Sequence, residues 1–212
     1  MKNKDELTLS HITNNRPNTT TEIPPAELRA LGDNIKKGTR VLEFGDKRNP
    51  TGLYRDWYTK NGADYWCTDI HGKNGAIVWD WRKEIVDEIK KLMPFDVVTN
   101  FGCTEHVQTD SGQEACWRNI HQLIKVGGIL CSVTPEPKQP RWANHGKNSG
   151  VPGVYYPWPN WHENMARLNG YEIEDLWTRG DEKPLPHLVC VRMRKVEAKE
   201  FSFTMDGMYK NP

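Results

Sequence analysis

From Thr39 to about Thr134 the chain alternates short apolar runs with longer segments of mixed polarity. The runs RVLEFG (40–45), YWCTDI (65–70), AIVWDW (76–81), FDVVTNF (95–101) and GILCSVT (128–134) have the length and the β-branched and aromatic content of buried strands. Between them, helical periods predict helices near 52–61, 82–92 and 112–125. In the last of these Ala115, Ile120, Leu123 and Ile124 share one side, and the pair Gly127 and Gly128 predicts the stop. Strands alternating with helices predict βαβ units, a parallel sheet and right-handed crossovers.

The flanks differ in texture. Residues 1–22 are polar without an apolar period and predict a flexible arm. PPAELRALGDNIKKG predicts a short helix opened by proline and closed at Gly38. After Thr134, PEPKQPRWANHGKNSGVPGVYYPWPN is proline-rich and aperiodic, which predicts a lid or substrate loop over 134–158. PNWHENMARLNG then predicts a helix with Asn160 as cap and Gly170 as stop, and YEIEDLW and LVCVRMRKV predict an antiparallel pair. The expected organisation is one domain over 23–200 with a loose tail over 201–212.

Composition narrows the partners. Across 212 residues, 29 basic and 28 acidic side chains leave a formal net charge of +1, so no overall field favours DNA or RNA. The five cysteines are odd in number and form no CxxC pair, which suggests neither a zinc site nor a disulfide framework. With no apolar stretch of signal-peptide or membrane-spanning length, the expectation is a soluble protein of a reducing, cytoplasmic compartment. Nine tryptophans are many for this length; Trp142, Trp158 and Trp161 lie among polar residues, either pinned to a core or facing a ligand.

Ligands of open α/β sheets bind beyond the carboxyl ends of the strands, so the residues closing each predicted strand carry the chemistry. These are Glu43, Phe44 and Gly45; Asp69, Ile70 and His71; Asp80 and Trp81; and Asn100, Phe101 and Gly102. Any one acid could be a helix cap or a loop anchor. Three at consecutive strand ends point to a ligand, because a buried carboxylate needs partners. Asp69 stands near the position at which an acid after the second strand accepts ribose hydroxyls. Asp80 can accept from an adenine amino group, with Trp81 or Ile70 as a flat apolar face, so the economical ligand is an adenosine. A pyrophosphate would require a GxGxxG loop, and GDKRNPTG after the first strand lacks those glycines. The acid Glu43 beside that loop suits a ligand with positive charge.

These segments, in order, resemble the class I S-adenosylmethionine-dependent methyltransferases. VLEFGD is similar to that family's first motif, CTDIHG to its acidic second-strand motif, IVWDW to its adenine motif, and FDVVTNFGCTEHV to its fourth-strand motif; LIKVGGILCSVTPEP is similar to the helix, turn and strand that follow. The resemblance covers about residues 39–137 and implies a three-layer Rossmann-like α/β fold: a mostly parallel seven-stranded sheet with an antiparallel C-terminal strand pair. It further implies S-adenosyl-L-methionine as cofactor, with Glu43 and Gly45 at its methionine part, Asp69 at the ribose, Ile70, Asp80 and Trp81 at the adenine, and Asn100 and Phe101 near the transferred methyl. Lys47 or Arg48 could meet the cofactor carboxylate or form a solvated basic turn.

A base is needed only if the acceptor must lose a proton. His106, in TEHV, is the first candidate because the resemblance places it toward the methyl end; His145 and His162 follow, and Glu105 reads as a loop anchor. Trp142, His145, Tyr155 and Tyr156 mix aromatic faces with donors and are the candidate acceptor-binding residues. The sequence lacks the [DNS]PP[YFW] motif of DNA amino-methyltransferases, and Asn100 stands where metal-dependent relatives carry Asp, so no metal is expected. The leading expectation is methyl transfer to oxygen or nitrogen of a small-molecule or glycan acceptor. A non-catalytic cofactor-binding module or partner subunit, and an NAD-dependent oxidoreductase, are the alternatives.

Overall fold

The computed structural model describes residues 23–45, 48–49, 52–136, 153–179 and 187–210. The expected arm over 1–22 lies outside them, as does most of the expected lid. Helix α1 (Pro25–Leu31) precedes strand β1 (Arg40–Phe44), a two-residue ladder of β2 (Arg48–Asn49) and β3 (Gly52–Leu53), and helix α2 (Tyr54–Lys60). Then come β4 (Asp64–Asp69), β5 (Ile77–Val78), α3 (Asp87–Lys90), β6 (Phe95–Phe101), α4 (Asp110–Leu123) and β7 (Ile124–Pro135). The chain continues through β8 (Tyr155–Pro157), α5 (Pro159–Asn169), β9 (Tyr171–Arg179), β10 (Leu188–Lys195) and β11 (Met208–Lys210).

Seven strands form one sheet in the order β5-β4-β1-β6-β7-β10-β9. The first five are mutually parallel, and β10 runs antiparallel to both β7 and β9. Strand order reverses between β1 and β6, which places a crevice beyond Phe44 and Phe101. The pleat sends alternate residues to opposite faces. Leu42, Phe44 and Val98 pack with Trp117 and Ile120 of α4 and Trp161 and Met165 of α5, while Val41, Val97 and Phe101 pack with Ala30 and Leu31 of α1 and Tyr54 and Tyr58 of α2. The sheet is therefore covered on both faces, as its near-continuous apolar strands require. Among the described residues no helix is long and apolar enough to cross a membrane.

Several boundaries depart from the sequence expectation: the strand expected over 76–81 covers only Ile77–Val78, and the helices stop at caps and side-chain bonds. The helix expected to run to Gly38 ends at Leu31, because Gly32 takes φ 54° and returns its N–H to Leu28 O. The helix expected over 82–92 shrinks to α3. Carbonyls that would extend it are held by side chains: Trp79 Nε1 donates to Glu84 O at 2.9 Å, and Asn119 Nδ2 to Lys83 O at 2.8 Å. Helix α4 stops at Leu123, ahead of the glycine pair. The buried ammonium of Lys195 donates to His121 O (2.8 Å) and Ile124 O (3.2 Å), capping the negative helix end, and the chain turns directly into β7.

At α5 the cap residue is Trp158 with Pro159 in the first turn, rather than Asn160, and Gly170 stops the helix at φ 69°. Residues 201–210, expected as a loose tail, are docked. Phe201, Phe203 and Met208 pack on the main core, and Trp161 Nε1 donates to Thr204 O at 2.8 Å. The buried Asn169 exchanges two hydrogen bonds with the backbone of Ser202, and β11 pairs with β8.

Candidate functional site

Each parallel strand ends on one side of the sheet, and the candidate residues sort there by which way the pleat turns them. Asp69 closes β4, and its Oδ1 accepts the backbone N–H of His71 at 2.7 Å, fixing the turn that carries Ile70. Beyond β5, Trp79 and Trp81 bury their rings beside Phe44, with the Trp81 centroid 5.1 Å from it. Trp81 Nε1 donates to Thr68 Oγ1 at 2.9 Å, so this ring is held by the sheet it covers. Asp80 between them turns outward and is held by Arg82.

An open cleft lies between these turns and the segment after β6. Ile70, Trp79, Asp80 and Trp81 form one wall; Arg82, His106, Val107 and Gln108 form the rest. Ile70, Asp80, Trp81 and His106 were expected in the site from sequence, and the fold brings all four to this cleft. Trp79, Arg82, Val107 and Gln108 were missed, although the polar step from Asp80 to Arg82 at a strand end was a signal for Arg82.

The segment carrying His106 is rigidly scaffolded. Asn100 is fully buried beneath it: its Oδ1 accepts Thr104 N–H at 3.1 Å, and its Nδ2 donates to Thr104 Oγ1 (2.8 Å) and Ser132 Oγ (3.0 Å). Gln113 of α4 donates to Thr104 O (2.6 Å) and Val107 O (2.9 Å), and its own oxygen accepts Trp117 Nε1. His106 Nε2 lies 3.8 Å from Glu105 Oε1, with both side chains largely buried. Asn100 therefore acts here through the loop it pins, with all of its polar atoms engaged.

Three other expected residues point away from the cleft or lie beside it. Glu43 shares its face of β1 with Val41; it is wholly buried and accepts the Tyr65 hydroxyl close to Tyr54 and Tyr58. Burial, with the Glu43 carboxylate second, pushes the Tyr58 and Tyr65 hydroxyls well above their ordinary value. Phe101 sits in the opposite layer from the cleft, its ring 6.4 Å from that of Tyr54. Gly45 lies at the reversal of strand order with φ 85° and donates its N–H to Thr68 O at 2.9 Å. A Cβ at Gly45 would collide with Cys103 Sγ, which itself donates to Phe44 O, so the turn tolerates glycine on two grounds.

Tyr155 and Tyr156, expected at the acceptor, are buried and do not line the cleft. The Tyr155 hydroxyl donates to Asp110, and that of Tyr156 to Gly153 O at 2.8 Å. Trp142 and His145 lie outside the described residues, as does Lys47. His162 is fully buried against the rings of Trp117 and Trp161, and burial holds its imidazole down at about 3. A group so withdrawn is not a base for a bound acceptor.

No family model matches the chain, and no curated protein matches it. Solved structures do. The chain is similar to the 1,6-didemethyltoxoflavin-N1-methyltransferase of Burkholderia thailandensis, solved with 1,6-didemethyltoxoflavin and S-adenosylhomocysteine, at 14% identity and TM-score 0.56 over 82% of this chain and 77% of that one. It is similar to an S-adenosylmethionine-dependent methyltransferase from Archaeoglobus fulgidus at 14% identity and TM-score 0.55, covering 80% and 92% of the two chains. The N-methyltransferase NodS of Bradyrhizobium japonicum WM9, solved with S-adenosylhomocysteine, matches at 10% identity and TM-score 0.54 over 81% and 83%. The fold is that of the class I S-adenosylmethionine-dependent methyltransferases. On this methyltransferase fold the cleft lies beyond the carboxyl ends of β4 and β5, on the β4 side of the strand-order reversal.

Proposed function

We propose that the protein binds S-adenosyl-L-methionine in this cleft and transfers its methyl group to oxygen or nitrogen of a small-molecule or glycan acceptor. The observation that carries the reading is the convergence of Ile70, Asp80, Trp81 and His106 on one cleft of a methyltransferase fold, with Asp69 closing the neighbouring strand. Two similar structures hold S-adenosylhomocysteine, and one of them holds a small-molecule acceptor.

The residues present fit the cofactor. Asp69, at a strand end with Oδ1 orienting the turn, is the carboxylate to accept ribose hydroxyls. Asp80 is the acceptor for the adenine amino group, and Ile70 is an apolar wall beside it. The cofactor supplies a methyl already activated by its sulfonium, so the protein's task is alignment for an in-line displacement. The Asn100 and Gln113 bonds serve that task by fixing the 103–107 segment that forms the far wall. His106 is the group on that wall able to take a proton from an acceptor hydroxyl or ammonium, with Glu105 beside Nε2 to stabilise the imidazolium that results. Gly45, at the reversal of strand order, is where the methionine part would pass.

Calorimetry with S-adenosylmethionine, S-adenosylhomocysteine and NAD tests the reading. Micromolar binding of the first two without NAD is expected; NAD binding alone would overturn it. Turnover is then sought with a broad acceptor panel by mass spectrometry, and binding without any methylated product would leave a cofactor-binding module in its place.

A further inference from the structure

Asp80 is the acceptor on which the proposed adenine contact depends, so what holds its carboxylate decides how that end of the cleft reads a purine. Arg82 holds it on three sides. Its Nε donates to Oδ1 at 2.9 Å, its Nη2 to Oδ2 at 2.9 Å, and its backbone N–H to Oδ1 at 3.1 Å. A carboxylate has about four acceptor directions, two on each oxygen. Oδ1 is thus filled, and one direction remains, on Oδ2.

The turn that presents the pair is itself fixed. Lys83 N–H returns to Asp80 O at 2.9 Å, and Asn119 of α4 donates to both Trp81 O and Lys83 O at 2.8 Å. The stem of Arg82 lies close against α4, where a Cβ on Gly112 would come within 3.3 Å of its Cδ. Burial alone would raise the Asp80 carboxyl; the Arg82 bonds outweigh it and hold the group below its ordinary value, so it stays an ionised acceptor. Bidentate forks of this kind fix direction as well as charge, which a lysine ammonium cannot.

Resting on the methyl-donor reading above, we propose that Arg82 is a positioning residue that leaves Asp80 Oδ2 as a single aimed acceptor, so that the cleft selects a 6-amino purine over a 6-oxo purine. An amino purine offers one N–H to that oxygen. A 6-oxo purine sets a carbonyl oxygen against the ionised carboxylate, which is repulsive and leaves the acceptor unpaired.

The test compares S-adenosylhomocysteine with S-inosylhomocysteine, its 6-oxo counterpart, by calorimetry on the full chain and on Arg82→Ala, Arg82→Lys and Asp80→Asn. Wild type is expected to prefer the adenosyl compound by on the order of a hundredfold, the scale for leaving a charged acceptor without its hydrogen bond. Arg82→Ala should lose about tenfold for the adenosyl compound and less than about threefold for the inosyl one, with Arg82→Lys between, because the fork and not the charge alone sets the direction. Asp80→Asn, which can donate to a 6-oxo group, should shift preference toward the inosyl compound. A merely structural Arg82 would weaken both compounds alike, and that result overturns the proposal. Unchanged discrimination in Arg82→Ala overturns it too while leaving the methyl-donor reading intact. Failure of wild type to bind either compound overturns both.

Discussion

Burial of His162 gives a stability prediction that does not depend on the cofactor. The ring is wholly buried, packs edge-on against Trp117 and Trp161, and among the described residues neither nitrogen has a hydrogen-bond partner. Desolvation holds its pKa at about 3, whereas the unfolded chain titrates near 6.5. Below about pH 6.5 the unfolded state therefore takes up a proton that the folded state refuses, and stability falls as pH falls, down to about pH 3. Each pH unit in that window costs about 1.4 kcal/mol, so moving from about pH 7 to about pH 5 costs about 2 kcal/mol from this group alone. His162→Leu removes the term, and because it replaces unpaired polar atoms by apolar ones it should leave stability near neutral pH unchanged or raised. Urea unfolding followed by tryptophan fluorescence, at both pH values on both proteins, isolates the effect, since every other titrating group cancels in the difference. Wild type should lose about 2 kcal/mol more than the variant between the two conditions. Equal losses would refute the reasoning and show that the imidazole titrates as if solvated.

Asp69→Ala should weaken S-adenosylhomocysteine binding by about 1.5–3 kcal/mol in calorimetry, the range for hydrogen bonds to a charged group; unchanged affinity would remove the ribose assignment. His106→Ala should lower turnover while leaving cofactor affinity near the wild-type value, and retained turnover would reduce His106 to a wall of the cleft. Gly45→Ala should destabilise the protein by about 1–2 kcal/mol from its left-handed backbone and about 1–3 kcal/mol from the Cys103 contact. Adding Cys103→Ala should restore only the second part, and a Gly45→Ala protein as stable as wild type in urea would contradict both. Asn169→Ala should free the backbone of Ser202 and speed its amide exchange, whereas unchanged protection there would mean that the aromatic contacts alone dock the segment.

The strands were legible because each buried run repeats a local rule: β1, β4 and β6 fall within one residue of their apolar patterns. The cleft was legible in part for the same reason, since Asp69 closes β4, Asp80 follows two residues after β5, and any parallel sheet gathers strand ends on one side. Sequence position could not say which way a strand-end residue faces. Glu43 and Phe101 sit beside the crevice in sequence, yet the pleat commits them to the layer of Tyr54, Tyr58 and Tyr65, where an acid finds a hydroxyl and a ring finds a ring. Nor could it supply side-chain bonds to distant carbonyls. Gln113 on Thr104 and Val107, Lys195 on His121 and Ile124, and Asn119 on Trp81 and Lys83 each depend on a helix or strand arriving in register. The docked 201–210 segment was missed because two spaced phenylalanines in a polar stretch form no period, and their packing depends on α4 and α5 presenting His121, Arg118 and Trp161 to them.

The pairing of β8 with β11 also bears on how the chain is made. Strand β8 is synthesised about fifty residues before β11, its partner in that two-stranded sheet. Through that interval the backbone of Tyr155–Pro157, with its two large aromatic side chains, has no partner strand among the described residues. The β8 ladder therefore cannot close until residues 208–210 have been made, which places this small sheet among the last parts of the fold to form.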